Sequence, residues 1–112
     1  MVNAALLAKT QIPADYVTVA AGQTAAPLQI TAAKVGNLLY RLIIIPATTG
    51  AGNISLIDGT GSDKVTISVF VAGTLADLKP IVIELGIASQ KAGGWNITTG
   101  NNVSVLAVGL FT

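Results

Sequence analysis

From Asp15 onward, apolar and polar positions alternate with a period of two, in runs broken by Gly, Asn and Asp. Such alternation places successive side chains on opposite faces of an extended strand. It predicts strands over 15–20, 27–33, 37–45, 53–57, 64–71, 80–85, 95–99 and 102–111. Turn chemistry fills the gaps, as in Asp58-Gly59-Thr60-Gly61, Ala92-Gly93-Gly94 and Gly100-Asn101-Asn102. Gly and Asn tolerate the positive φ that tight turns require. Thr99-Gly100-Asn101-Asn102, set between two alternating runs, is the clearest hairpin signal. About eight short strands at this spacing predict an all-β chain folded as an antiparallel sandwich or barrel, with a jelly-roll-like β-sandwich as the favoured expectation. Gly73-Thr74-Leu75-Ala76-Asp77-Leu78 predicts one helical turn, with Thr74 as N-cap and Asp77 at N3. Residues 1–14 follow another pattern. Ala4, Ala5, Leu6, Leu7 and Ala8 favour a short helix that Pro13 stops. The expected organisation is an N-terminal arm, 1–14, and one sandwich domain, 15–112.

Several strands are apolar on both faces. In 37–45, Leu38, Tyr40, Leu42 and Ile44 are expected on one face, with Leu39, Arg41, Ile43 and Ile45 on the other. In 102–111, Val103, Val105, Ala107 and Phe111 share a face, opposed by Ser104, Leu106, Val108 and Leu110. A sandwich strand needs only one apolar face. The second set therefore predicts a covered surface: Leu39, Arg41, Ile43, Ile45, Leu106, Val108 and Leu110. Leu6, Leu7 and Ile12 of the arm join it as residues that gain burial only against a partner. The cover is either the chain's own loops and arm or, as the favoured expectation, a homo-oligomer, with a trimer preferred. Arg41 within an apolar face calls for a carboxylate, and Glu84 is the expected one. The competing expectation is that both reach solvent at strand edges.

Composition sharpens this picture. The chain has six basic and five acidic residues, no His and no Cys, against 52% apolar residues. Charged residues normally form roughly a quarter of a domain. The surface is therefore expected to be neutral and suited to packing against other subunits. Net charge is +1, and Lys9, Lys34, Arg41, Lys64, Lys79 and Lys91 stand singly, so no nucleic-acid footprint is expected. Tyr16, Tyr40, Phe70, Trp95 and Phe111 lack the basic neighbours that a base-stacking groove would need. The longest apolar run, Leu42 to Ile45, is bounded by Arg41 and Pro46, far short of a membrane span. With no secretory pattern at the start, the chain is expected to be soluble and cytosolic when made.

Catalytic chemistry finds little support. General acid–base work recruits His or a contrasting carboxylate pair, and only Asp15, Asp58, Asp63, Asp77 and Glu84 are present. No G-x-S-x-G elbow occurs, and Gly59 to Lys64 lacks the spacing of a phosphate loop. No enzyme activity and no cofactor are expected. The oxygens of Asp58, Thr60, Ser62 and Asp63 read first as a hairpin turn, with a Ca²⁺ site as the alternative. Asn53-Ile54-Ser55, Asn96-Ile97-Thr98 and Asn102-Val103-Ser104 match the glycosylation pattern, as an Asn- and Thr-rich β chain does by chance.

The stretch from Ala92 to Gly109, with Gly93-Gly94-Trp95-Asn96 and Thr99-Gly100-Asn101-Asn102, resembles the ending of small β-sandwich proteins of tailed-bacteriophage heads. Gly52 to Gly59 is similar to their central hairpin. The resemblance covers roughly the last 60 residues and is carried mostly by turn residues. It implies a capsid cement or decoration protein on the virion surface, often trimeric, clamping neighbouring copies of the major capsid protein. It brings no catalytic or ligand residues. The alternative from another class is a carbohydrate- or host-binding module of a phage head or tail fibre. An exposed Trp95 on a groove would favour that alternative.

Overall fold

The computed structural model describes residues 15–29, 35–72 and 78–111. These form β1 (Asp15–Val19), β2 (Ala26–Pro27), β3 (Leu38–Pro46), β4 (Ile54–Asp58), β5 (Val65–Phe70), β6 (Ile81–Ala88), β7 (Trp95–Thr99) and β8 (Val103–Leu110). Two four-stranded antiparallel sheets result, ordered β1-β8-β3-β6 and β2-β7-β4-β5, and they pack face to face as a β-sandwich. The all-β architecture expected from alternation is present. The arm (with Leu6, Leu7 and Ile12) and most of the expected helical turn at 73–78 lie outside the described residues.

The inward faces follow the period of two. Leu39, Leu42 and Ile44 of β3 meet Ile54 and Leu56 of β4, Trp95 and Ile97 of β7, and Val103, Val105 and Ala107 of β8. Fully burying each such side chain contributes roughly 1.5–3 kcal/mol, so this cluster holds the sheets together. Two strands differ from expectation. β2 starts at Ala26, one residue before the expected run 27–33, and pairs Ala26 and Pro27 against Ile97 and Asn96 of β7, while residues 30–33 lie outside the described residues. Leu28 then leaves the ladder, although its N–H still donates to Trp95 O at 2.9 Å. The run 80–85 extends to Ala88, because Gly86 takes a φ of +70° and carries the strand on.

Connectivity supplies the main correction. Thr99-Gly100-Asn101-Asn102 is not a hairpin. β7 pairs with β2 and β4, whereas β8 pairs with β1 and β3, so this turn passes from one sheet to the other. Asn102 still takes the expected positive φ, +61°. The corner is held by its neighbours: Gly100 N–H donates to Asn53 O at 2.7 Å, and Gly22 N–H donates to Gly100 O at 2.9 Å. The Thr99 hydroxyl donates to Ala20 O at 2.6 Å and accepts from Gln23 N–H at 2.9 Å. Among the described strands only the β4–β5 connection joins neighbours within one sheet; every other connection between them crosses the sandwich.

The sheet β1-β8-β3-β6 also bends along one line. Between matched pairs the chain takes one step on β8 (Gly109 to Val108) and two on β3 (Leu39 to Arg41). On β6 it takes three (Ile87 to Glu84). Extra residues of this kind are β-bulges, which shift the phase of the side chains. Leu39 therefore faces the core with no exposure, as do Leu42 and Ile44. The expectation that Leu39 shares the outer face with Ile43 and Ile45 is overturned, because Tyr40 is the extra residue. Gly109 sits at this line, where a Cβ would lie 2.1 Å from Leu38 O.

Candidate interaction surface

Past the bulge, the outer face of the first sheet is built in rows. Thr18, Leu106, Ile43 and Val82 form one row across β1, β8, β3 and β6. Tyr16, Val108, Arg41 and Glu84 form the next. Leu110 pairs with Leu38, and Ile45 with Ser104, at the two flanks. Ile43, Leu106, Val108 and Leu110 are half-buried, while Tyr16, Ile45 and Val82 are exposed. Of the residues expected on this face, the structure thus brings together Arg41, Ile43, Ile45, Leu106, Val108 and Leu110.

The Arg41–Glu84 pair forms within the chain, across the β3–β6 ladder, with Nε to Oε1 at 3.2 Å. Both side chains remain open to solvent, 46% and 66% exposed. Solvent satisfies the rest of both groups, so the pair contributes little to stability, about 0–1 kcal/mol. It does make the row electrically neutral.

A second apolar region escaped the sequence reading. β1 and β2, joined by the short segment 20–25, close one side of the sandwich, and β5 and β6 end the two sheets on the other. There the sheets part. Val65 and Ile67 of β5 pair with the buried Asp58 and Leu56 and so face inward, yet both stay exposed. Ile81 and Ile87 of β6 pair with the buried Ile44 and Leu39 and are exposed in the same way. Val71 and Leu78, in the connection between β5 and β6, are also exposed. Alternation gives β5 and β6 an inward and an outward face. It could not announce that they lie at a sheet edge, because strand order is a property of long-range pairing.

The turn at Asp58 to Asp63 has a structural task. Asp58 is buried, and its Oδ1 accepts from the Ser89 hydroxyl at 2.6 Å while Oδ2 accepts from Gln90 N–H at 2.8 Å. Asp63 instead pairs with Lys91, Nζ to Oδ2 at 3.7 Å. The two carboxylates face different partners, so the calcium alternative finds no shared oxygen cage here. Among the described residues no group of three or more His, Cys, Asp or Glu comes together. Asn96 is also spoken for: it is buried, and its Nδ2 donates to Gly94 O at 3.0 Å, which takes it out of reach as a glycan acceptor.

Trp95 is 3% exposed, packed in the core, and donates its indole N–H to Asn37 O at 3.0 Å. It offers no ring to a sugar. Among the described residues no helix is long and apolar enough to cross a membrane. Comparison with known proteins adds no relative: no family model, no curated protein and no solved structure matches this chain.

Proposed function

We propose that this protein is a structural virion subunit, a cement or decoration protein that binds the outside of an assembled phage capsid. The observation that carries the reading is the outer face of the β1-β8-β3-β6 sheet. Its rows from Tyr16 to Glu84 and from Thr18 to Val82 present aliphatic side chains and one self-neutralised ion pair. An apolar sheet face whose two charges neutralise each other is one that a protein interface can bury. The strand orders β1-β8-β3-β6 and β2-β7-β4-β5, with nearly every connection crossing between sheets, support the jelly-roll reading. Viral capsid proteins share that architecture with lectins, so it supports the class without deciding the partner. The resemblance of Ala92 to Gly109 to phage-head proteins selects the first.

A subunit of this kind stabilises a shell by binding the assembled lattice better than free capsid subunits. Many equivalent contacts then act together through effective concentration. A homo-oligomer belongs to the same reading, as a dimer in place of the trimer preferred from the sequence. The test is co-sedimentation of purified protein with expanded capsids built from the major capsid protein of the same genome. Decorated shells should melt at a higher temperature than bare ones. Protein that stays in the supernatant and leaves capsid melting unchanged overturns the proposal. Binding on a glycan array by that same preparation would put the carbohydrate-binding alternative in its place.

A further inference from the structure

We propose that β5 is a self-pairing edge: two copies of this chain join β5 to β5, antiparallel, about a twofold axis through Ile67. The proposal goes beyond the capsid reading and does not rest on it. An edge strand exposes unpaired N–H and C=O groups, and folded proteins guard such edges with charge, proline, bulges or brevity. Three of the four edges here are guarded. β2 has two residues and contains Pro27; β1 carries Asp15; β6 carries Glu84 and the irregular Gly86. β5, Val65-Thr66-Ile67-Ser68-Val69-Phe70, has no charge, no Pro and no Gly, and its one bulge, at Val69 near the end of the strand, leaves Val65 to Ser68 in regular pairing.

The register follows from the faces. Val65 and Ile67 face inward, Val69 packs against the core as the extra residue of a bulge, and Thr66 and Ser68 face outward. Directly opposed residues in an antiparallel pair share a face, and a one-residue slip reverses every side chain. A twofold at Ile67 sets Ile67 against itself, Val65 against Val69 and Thr66 against Ser68. Apolar side chains meet apolar ones, and hydroxyls meet hydroxyls. An axis between Ile67 and Ser68 would instead set Ile67 against Ser68 and Thr66 against Val69, aliphatic groups opposite hydroxyls.

The occupant is a second copy because the whole seam matches itself. An axis normal to the sheet keeps each β6 beside its symmetry mate. Exposed Ile81 and Ile87 then enter the contact with Val65, Ile67, Val71 and Leu78. These six, 36 to 72% exposed, are spread along the β5–β6 side and together offer roughly several hundred Å² of apolar surface, the scale at which exposed apolar surface marks an interaction site. Adding the two backbone edges brings the contact near the ~800 Å² per partner of a stable interface. Isologous pairing of one patch with itself is also the commonest symmetry of soluble oligomers.

The test uses the purified full-length chain alone, so its failure is separable from failure to bind capsids. Sedimentation equilibrium should give twice the 11.3 kDa chain mass. Ile67→Lys, at an exposed edge, should keep its β circular dichroism and raise the dimer dissociation constant at least tenfold. The chain contains no Cys, so single cysteines report the register without background. Ile67→Cys should form a disulfide-linked dimer on mild oxidation, and Thr66→Cys, equally exposed, should not. A monomer or a trimer in the parent protein overturns the proposal, as does a dimer indifferent to Ile67→Lys. Equal cross-linking at both positions overturns the register.

Discussion

Asp58 of β4 and Ser89, one residue past the end of β6, meet across the sandwich through a 2.6 Å hydrogen bond from hydroxyl to carboxylate. The same carboxylate takes Gln90 N–H at 2.8 Å. One buried side chain thus fixes the path by which the chain leaves the first sheet for the second. Gly59 N–H to Gly94 O, 2.8 Å, continues the seam. Asp58→Ala takes the acceptor from Gln90 N–H and leaves the Ser89 hydroxyl only the longer contact to Lys91 O at 3.3 Å; a buried hydrogen bond left unmade costs about 1–3 kcal/mol. The expected loss is about 3 kcal/mol, or a melting temperature lower by roughly 10 °C or more for a domain this size. Thermal unfolding followed by circular dichroism measures it. An unchanged transition would mean that water replaces the carboxylate without loss.

The opposite end of the sandwich depends on close backbone approach. A Cβ on Gly100 would lie 2.8 Å from both Gly52 Cα and Asn53 N, so main chain would have to move. Gly100→Ala is expected to destabilise by about 1–3 kcal/mol, the usual penalty of overpacking. Gly50 is the control in the adjoining loop, where the nearest atom to an added Cβ is Thr48 Oγ1 at 3.9 Å. Gly50→Ala should be neutral or stabilise by up to about 1 kcal/mol through the unfolded chain. Equal effects at the two glycines would refute the contact. Urea unfolding separates them.

These two ends show what was legible in the sequence and what was not. Strand positions could be read because β-branched alternation and Gly/Asn punctuation are local; 95–99 and 15–20 fall on β7 and β1 almost residue for residue. The turn at Gly100 to Asn102 also reads correctly as a turn. Nothing local says that its strands face each other across a core instead of pairing side by side. That outcome follows from Trp95, Ile97, Val103 and Val105 all pointing into one cluster. The phase slip at Tyr40 is equally invisible, since a bulge exists only relative to the neighbouring strands. The expected outer face was therefore right at Ile43, Ile45, Leu106, Val108 and Leu110, and wrong at Leu39.

The two faces of β3 can be separated by experiment. Leu39 and Leu42 have no exposure, and Ile43, the residue after Leu42, lies on the outer face. An unpaired carboxylate in the core costs several kcal/mol, comparable with the whole stability of a small domain, about 5–15 kcal/mol. Leu39→Asp and Leu42→Asp should abolish the β circular dichroism signal. Ile43→Asp should retain it while reducing capsid co-sedimentation at least tenfold. A folded Leu39→Asp would show that the bulge lies elsewhere.

Trp95 gives a direct optical check on the core and on the rejected sugar platform. Its ring is packed beside Ile97 and Val105 in one buried cluster, and its N–H reaches Asn37 O. That carbonyl also accepts Ser89 N–H at 2.9 Å, so it keeps one partner if the indole is lost. Trp95→Phe should therefore cost about 2 kcal/mol, from one hydrogen bond and an incompletely filled site. As the chain's single tryptophan, Trp95 should emit at short wavelength and resist quenching by iodide. Neutral oligosaccharides at millimolar concentration should leave that emission unchanged, because no face of the ring reaches solvent. A red-shifted, readily quenched spectrum would contradict the buried position. A sugar-dependent shift would mean that the sheets open around Asn37 and Ser89, and would restore the carbohydrate-binding reading.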